Sequence, residues 1–111
     1  MFIALGDVYA QIQRREEVRE LMRATQASAR EQVGCEYYEF AETLDDPGHF
    51  VLVQRWRDEA ALAEHYRSRA FADYQARIAP LLVRTSELSL FEAQTGARLV
   101  SSDAIEIAQD E

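Results

Sequence analysis

The sequence predicts a small α+β domain with a ferredoxin-like βαββαβ order, in which both helices cover one face of an antiparallel sheet. Three observations support this class. The chain has 111 residues, the length of a single domain. About 48% of the residues are hydrophobic, which is enough for one core. Segments of strand and helix character also follow one another in the same order in both halves.

The first half predicts a strand, a helix and a second strand. Residues 2–12 are rich in β-branched and aromatic side chains without a helical period, which predicts a strand buried on both faces. From Arg14 to Gln32 apolar side chains recur at helical spacing and charged ones occupy the other face. Gly34 is expected to end this helix. Residues 35–44 then predict the second strand.

The second half repeats the pattern. Residues 49–57 predict a third strand, which pairs with the second through the turn Asp45-Asp46-Pro47-Gly48. Asp58 is expected to cap a second helix, and Ser68 to cap its continuation after a break. Residues 84–94 predict the last strand.

Alternation along the third strand predicts how the protein associates. Its even-numbered side chains should face the helices, whereas Val51, Val53 and Arg55 should face away. An apolar sheet face without helices indicates a partner, and we expect a homodimer. We place the domain at residues 1–96. Residues 97–111 carry four acidic side chains and are interpreted as a tail that either crosses to the partner or is mobile.

Charge and cysteine content exclude several partners. Twelve basic residues, all of them arginine, against twenty acidic ones give a net charge of −8. Such a surface repels phosphate backbones and anionic lipid, so we expect neither a nucleic-acid nor a membrane partner. The single cysteine, Cys35, cannot form an internal disulfide, which indicates a reducing compartment such as the cytoplasm.

Several motifs occur together at fixed spacing. They are Gly34-Cys35 before a Tyr-rich strand, Asp46-Pro47-Gly48-x-Phe50-Val51-Leu52, Trp56-x-x-Glu59-x-x-Leu62-x-x-His65, and Ser68-x-x-Phe71. Over roughly residues 2–95 this pattern resembles the antibiotic biosynthesis monooxygenase domain family of dimeric α+β barrels. The resemblance implies that fold. It also implies one of several reactions: oxidation of phenols or quinols by O₂ without a cofactor, haem degradation, or isomerisation of small phosphorylated sugars.

Individual positions separate these subfamilies. The Asn, Trp and His of haem-degrading relatives correspond to Asp7, His65 and Gln75 here, which argues against haem degradation. Trp56 matches the cofactor-free quinol monooxygenases. Leu52 stands where those enzymes carry Asn, and Gln54 where many family members carry an acid.

The residues suited to chemistry are expected around one cavity between the sheet and the helices. We predict His65 or Asp7 as the catalytic base and Trp56 as a catalytic wall. Asp7 is placed there because it shares its parity with Ile3 and Leu5 and because of the family resemblance. Core packing is the competing interpretation for His65 and Trp56. The expected substrate-binding residues are Leu52, Gln54, Tyr38, Tyr66 and Tyr74.

Three functions fit these features. The first is a monooxygenase that oxidises a small aromatic hydroquinone or phenol with O₂. The two histidines and one cysteine show no metal-ligand spacing and no glycine-rich phosphate loop occurs, so we expect no cofactor and no metal. The second is an isomerase or lyase that uses the same base on a small polar metabolite. The third is a non-enzymatic dimeric ligand-binding protein whose interior is filled by side chains.

Overall fold

A computed structural model of the chain describes residues 1–94 and two short strands beyond them. The strands are β1 (Phe2–Tyr9), β2 (Cys35–Glu42), β3 (His49–Trp56), β4 (Glu87–Glu92), β5 (Arg98–Leu99) and β6 (Ile107–Ala108). The helices are α1 (Arg15–Arg30), α2 (Glu59–Arg67) and α3 (Arg69–Ile78). Strands β5 and β6 pair with each other. The rest of the predicted tail at 97–111 lies outside the described residues.

The main sheet has the order β2-β3-β1-β4, and every neighbouring pair is antiparallel. The two central strands are therefore the first and the third, as the split βαβ order requires. The buried side chains of this sheet face the three helices. The predicted ferredoxin-like α+β class is confirmed.

Local signals in the sequence place most of the element ends. The Asp58 carboxylate accepts a hydrogen bond from the Ala61 N–H at 2.9 Å, and the Ser68 hydroxyl accepts one from the Phe71 N–H at 3.1 Å. Both predicted caps are therefore present. Gly34 follows α1 with φ +83°, a conformation that favours glycine. The first strand ends earlier than predicted, because a 3₁₀ turn begins at Ile12.

Side chains of the sheet alternate between a covered face and an open one. On β3, Phe50, Leu52, Gln54 and Trp56 are buried under the helices, whereas Val53 is 37% exposed. The prediction that β1 is buried on both faces is wrong for the single chain, because Leu5 is 44% exposed. We call the uncovered side the open face. Its residues include Ile3, Leu5, Asp7 and Tyr9 of β1, Tyr37 and Glu39 of β2, His49, Val51, Val53 and Arg55 of β3, and Phe91 of β4.

The core lies between the covered face and the helices in two clusters. One gathers around Val18 and Met22 of α1 and Phe50 of β3, and the other around Trp56 and Leu62. Within the part of the chain that the structure describes, no helix is both long enough and apolar enough to cross a membrane.

Candidate functional site

A cavity of about 610 Å³ lies between the sheet and α3, and we call it the main cavity. Strands β1 and β3 contribute one wall, while Tyr66 of α2 and one side of α3 contribute the opposite wall. The segment that leads into β4 completes its boundary. The lining residues are Gly6, Val8, Leu52, Gln54, Tyr66, Phe71, Tyr74, Gln75, Ile78, Ala79 and residues 82–88.

The cavity exists because the covered face of the sheet has a glycine, Gly6, among larger side chains. Gly6 lies opposite Leu52 in the β1–β3 register and opposite Leu88 in the β1–β4 register. It contributes no side chain to the space in front of α3. Leu52 and Gln54 are two positions apart on β3 and therefore point to the same side. The sheet thus presents an apolar surface with one amide group in it.

Gln54 is buried, being 1% exposed, and its amide orientation is set by Trp56. The Trp56 indole Nε1–H donates to Gln54 Oε1 at 2.8 Å. Because an indole N–H can only donate, the amide oxygen must face Trp56 and the NH₂ group must face the other way. Gln54 Nε2 donates to the Tyr66 hydroxyl oxygen at 3.5 Å. We call these three residues the Trp56–Gln54–Tyr66 network, which runs from the core to the cavity wall.

His65 lies behind this wall and is 2% exposed. Its ring stacks on Trp56 with the centroids 4.7 Å apart, and Tyr66 and Phe71 pack against it at 5.1 Å each. Those two side chains line the main cavity, whereas His65 borders a separate cavity of about 190 Å³ between α1 and α3. The imidazole therefore reaches the main cavity only through its neighbours.

The protonation state of His65 follows from its surroundings. Burial lowers the pKa of the His65 imidazole to about 4, so the ring is neutral at physiological pH. Its Nδ1 lies 2.9 Å from Gln32 Oε1, an acceptor, so Nδ1 carries the proton. The other nitrogen, Nε2, is buried and has no hydrogen-bond partner among the described residues. The structure holds a neutral imidazole with a free lone pair inside an aromatic cage.

Asp7 lies on the opposite side of the sheet from Trp56 and His65. Its carboxylate is 2.7 Å from Nε2 of His49 on the open face, and Tyr9 stacks on that imidazole. The prediction that Asp7 shares a cavity with Trp56 and His65 is wrong. The β1–β3 pairing runs without a bulge past Gly6, so Asp7 keeps the parity of Leu5, and that parity is the open one.

The predicted tyrosines fall into two groups. Tyr66 and Tyr74 line the main cavity, together with Leu52 and Gln54. Tyr38 lies behind the wall, 1% exposed, with its ring 5.3 Å from that of His65, and its hydroxyl has no partner among the described residues. Burial raises the pKa of all three hydroxyl groups, which therefore stay protonated and able to donate at neutral pH.

The sequence interpretation missed part of the lining. Phe71 and Ile78 of α3 pack in the core and also line the main cavity, a role that their apolar character alone does not reveal. Residues 82–88 were missed as cavity lining, because residues 84–94 were predicted only as a strand and the strand begins at Glu87. Within residues 1–94, no three His, Cys, Asp or Glu side chains lie together in a group that could hold a metal ion.

Comparison with known proteins gives one family. The family model for antibiotic biosynthesis monooxygenases matches residues 1–77. The Mycobacterium tuberculosis protein Rv0793, which carries the provisional name of a monooxygenase, is 36% identical over 70 residues, or 63% of this chain and 68% of that protein. An uncharacterised Synechocystis protein, sll1783, is 23% identical over 90 residues, which span 81% of this chain and 61% of that one.

Solved structures show the same architecture. The structure of Rv0793 superposes with a TM-score of 0.80 at 27% identity, covering 87% of this chain and 98% of that chain. A Deinococcus radiodurans protein that is provisionally called an antibiotic biosynthesis monooxygenase superposes with a TM-score of 0.86 at 23% identity. The superposition covers 91% of this chain and the whole of that one. The second likeness supports the fold alone.

Proposed function

The chain belongs to the antibiotic biosynthesis monooxygenase family, and from this premise we propose that it oxidises a small aromatic hydroquinone or phenol with O₂ and without a bound cofactor. The observation that carries the proposal is the main cavity, because its walls are mostly apolar and aromatic and its polar groups lie at defined points. A volume of about 610 Å³ is within the usual range for small-molecule sites.

The shape of the lining suits a flat ring. Phe71 and Tyr74 of α3 offer aromatic surfaces opposite the aliphatic side chains of Val8 and Leu52. Aromatic rings stack favourably on such surfaces in addition to the burial of apolar area. The Tyr66 hydroxyl, which accepts a hydrogen bond from the Gln54 amide, supplies a donor for an oxygen substituent of the ring.

The proposed reaction balances without an external reductant. A hydroquinone C₆H₆O₂ and one O₂ give a hydroxyquinone C₆H₄O₃ and one water. The ring loses four electrons and O₂ accepts them, one oxygen atom entering the ring and the other leaving as water. The protein's contribution is to exclude solvent, orient the ring and favour loss of the first hydroxyl proton, because the ionised ring reacts more readily with O₂.

In this proposal His65 and Trp56 act as positioning residues. Neither lines the main cavity, but His65 packs against Tyr66 and Phe71, and Trp56 fixes the amide of Gln54. The role of base that the sequence suggested for His65 or Asp7 has no direct route to a ring in this cavity. In this proposal the proton passes to solvent or to the Glu87 carboxylate, which lines the main cavity.

Oxygen uptake with a panel of substituted hydroquinones tests the proposal. Protein dialysed against a chelator should consume O₂ faster than the protein-free autoxidation control. With ¹⁸O₂ the organic product should carry one labelled oxygen. Formation of hydrogen peroxide without label in the product would indicate simple oxidation to the quinone. No uptake with any member of the panel would contradict the proposed function.

We also propose that the protein acts as a homodimer joined through the open face. Apolar residues on that face, among them Leu5, Val53 and Phe91, are 37–51% exposed in the single chain. A second copy packed on this face would remove these apolar side chains from water. From the single cysteine, Cys35, we also propose that the protein resides in a reducing compartment, with the cytoplasm as the expected location.

A further inference from the structure

The hydrogen bonds of the Trp56–Gln54–Tyr66 network run in one direction, from Trp56 to Tyr66, and the Trp56 indole fixes that direction. Trp56 can only donate, so Gln54 Oε1 accepts and Gln54 Nε2 donates to the Tyr66 oxygen. One lone pair of that oxygen is then occupied, and the hydroxyl hydrogen is free to point elsewhere. Within residues 1–94 the Tyr66 hydroxyl donates to no acceptor. It lies on the wall of the main cavity.

We propose that this network binds the ionised oxygen of the substrate, with the Tyr66 hydroxyl as the donor that touches it and with Gln54 and Trp56 as positioning residues. The inference deepens the proposed function and rests on it for the phenolic nature of the ligand. Each donor in the series polarises the next, and hydrogen bonds to a charged oxygen are stronger than those to a neutral one.

Burial of the network strengthens its hydrogen bonds to a charged oxygen, which offsets the cost of desolvating that charge. Gln54 and Trp56 are 1% and 0% exposed, so the network enters the cavity from a region of low dielectric constant. The distance of 3.5 Å between Gln54 Nε2 and the Tyr66 oxygen is long for an N–H···O hydrogen bond, so this is the weaker of the two bonds in the network. The rest of the protein, with a net charge of −8, opposes an anion. The two charged side chains that line the cavity, Arg84 and Glu87, have opposite signs, and we assign the contact with the phenolate oxygen to the Tyr66 hydroxyl.

A chromogenic phenol measures this effect without any turnover. The nitro group of 4-nitrophenol makes the ring resistant to oxidation, and its phenolate is yellow, so absorbance titration gives the pKa of the bound ligand. In the wild-type protein that pKa should lie below the value for free 4-nitrophenol. The Tyr66→Phe substitution should raise it by about one unit, equal to about tenfold weaker binding of the phenolate. Affinity for nitrobenzene, which has no hydroxyl group, should stay within about twofold.

A double-mutant cycle tests the role of Gln54. Because Gln54 is inferred to act through Tyr66, Gln54→Leu should raise the pKa of bound 4-nitrophenol by less than Tyr66→Phe. The double variant should then match Tyr66→Phe alone. Gln75→Leu is the matched control, since Gln75 borders the same cavity from α3 without a bond to this network. Thermal unfolding shows which variants are folded. If Gln54→Leu does not fold, Tyr66→Phe, which keeps the aromatic ring, decides the test alone.

Four outcomes would overturn the inference. They are no binding of 4-nitrophenol, a bound pKa unaffected by Tyr66→Phe, an equal loss of nitrobenzene binding, and an equal effect of Gln75→Leu. Failure of the proposed function looks different. In that case no hydroquinone drives oxygen uptake, while the pKa of bound 4-nitrophenol still responds to Tyr66→Phe.

Discussion

His65 occupies a position where burial and polarity oppose each other. The imidazole gives one hydrogen bond to Gln32 and stacks on Trp56, but its second nitrogen has no partner among the described residues. Protonation would place a charge in this apolar cage, which is why the pKa of the ring falls to about 4. The neutral ring is therefore part of the folded structure at physiological pH, and acid must weaken that structure.

The stability of the protein should depend on pH through His65. An unfolded histidine titrates near 6.5, so between about pH 6.5 and 4 the unfolded state binds a proton that the folded state does not. The free energy of unfolding should fall by up to about 3 kcal/mol across this window as the pH is lowered. His65→Phe keeps an aromatic ring there and should remove this component. Urea titrations of the wild type and of His65→Phe at several pH values give two profiles of the free energy of unfolding. Their difference isolates His65, because the other titrating groups are common to both proteins. Identical pH profiles would contradict the prediction.

At the scale of single residues, alternation along the strands placed some site residues correctly and misplaced Asp7. The placement of Leu52, Gln54, Tyr66 and Tyr74 on the cavity wall could be predicted, whereas their substrate-binding role stays a prediction. Asp7 could not be placed, because β1 has apolar side chains on both parities. In the middle of the strand the inward residues, Ala4 and Gly6, are smaller than the outward Leu5 between them. Side-chain size alone therefore does not show which parity faces the core.

Gly34 joins α1 to β2 and also determines how closely α2 approaches that junction. It has φ +83°, and a Cβ at this position would lie 2.4 Å from Cβ of Ala61 in the first turn of α2. Two separate costs would follow from any side chain: a left-handed backbone and a steric clash. The Gly34 carbonyl also accepts a hydrogen bond from the Arg57 N–H at 2.8 Å, which ties the end of β3 to the same place.

Gly34→Ala should lower the free energy of unfolding by about 2 kcal/mol or more, because it adds the clash to the backbone penalty. Ala61→Gly in the same chain should recover the part due to the clash. The double variant is therefore expected to be more stable than the sum of the two single effects. Chemical denaturation of the four proteins measures the coupling. Gly6→Ala is the control, since its Cβ would meet neighbours at an ordinary 3.5 Å. Strict additivity would contradict this account of the junction.

At the scale of secondary-structure elements, most of the fold could be predicted from the sequence. The hairpin turn, the two side-chain caps and the helical stripe are each encoded within a few residues, and all are present in the structure. The ends of strands are less readable. The predicted start of the last strand at residue 84 moves to Glu87, and the end of the first strand moves to Tyr9. Pairing partners decide those ends, and partners are distant in sequence.

At the scale of the whole molecule, the open face is the feature that a single chain leaves unexplained. It combines exposed apolar residues with polar groups such as the hydrogen-bonded Asp7 and His49 side chains. Val53 lies near its centre, between Leu5 on β1 and Glu39 on β2. A self-complementary contact with two-fold symmetry would place Val53 in the interior of an interface. A charge introduced there would be desolvated without a partner.

Sedimentation velocity at micromolar concentration should therefore give the wild-type protein a mass of about twice 12.7 kDa. Val53→Asp should shift it to the single-chain mass, because a buried carboxylate without a partner costs more than such an interface can offset. Leu44→Asp is the matched control: Leu44 is 98% exposed in the hairpin turn, so the same charge added there should leave the dimer intact. The open face is not the interface if the wild type sediments as a monomer or if both variants dissociate equally. Dissociation by Val53→Asp alone would assign the contact to the centre of the open face.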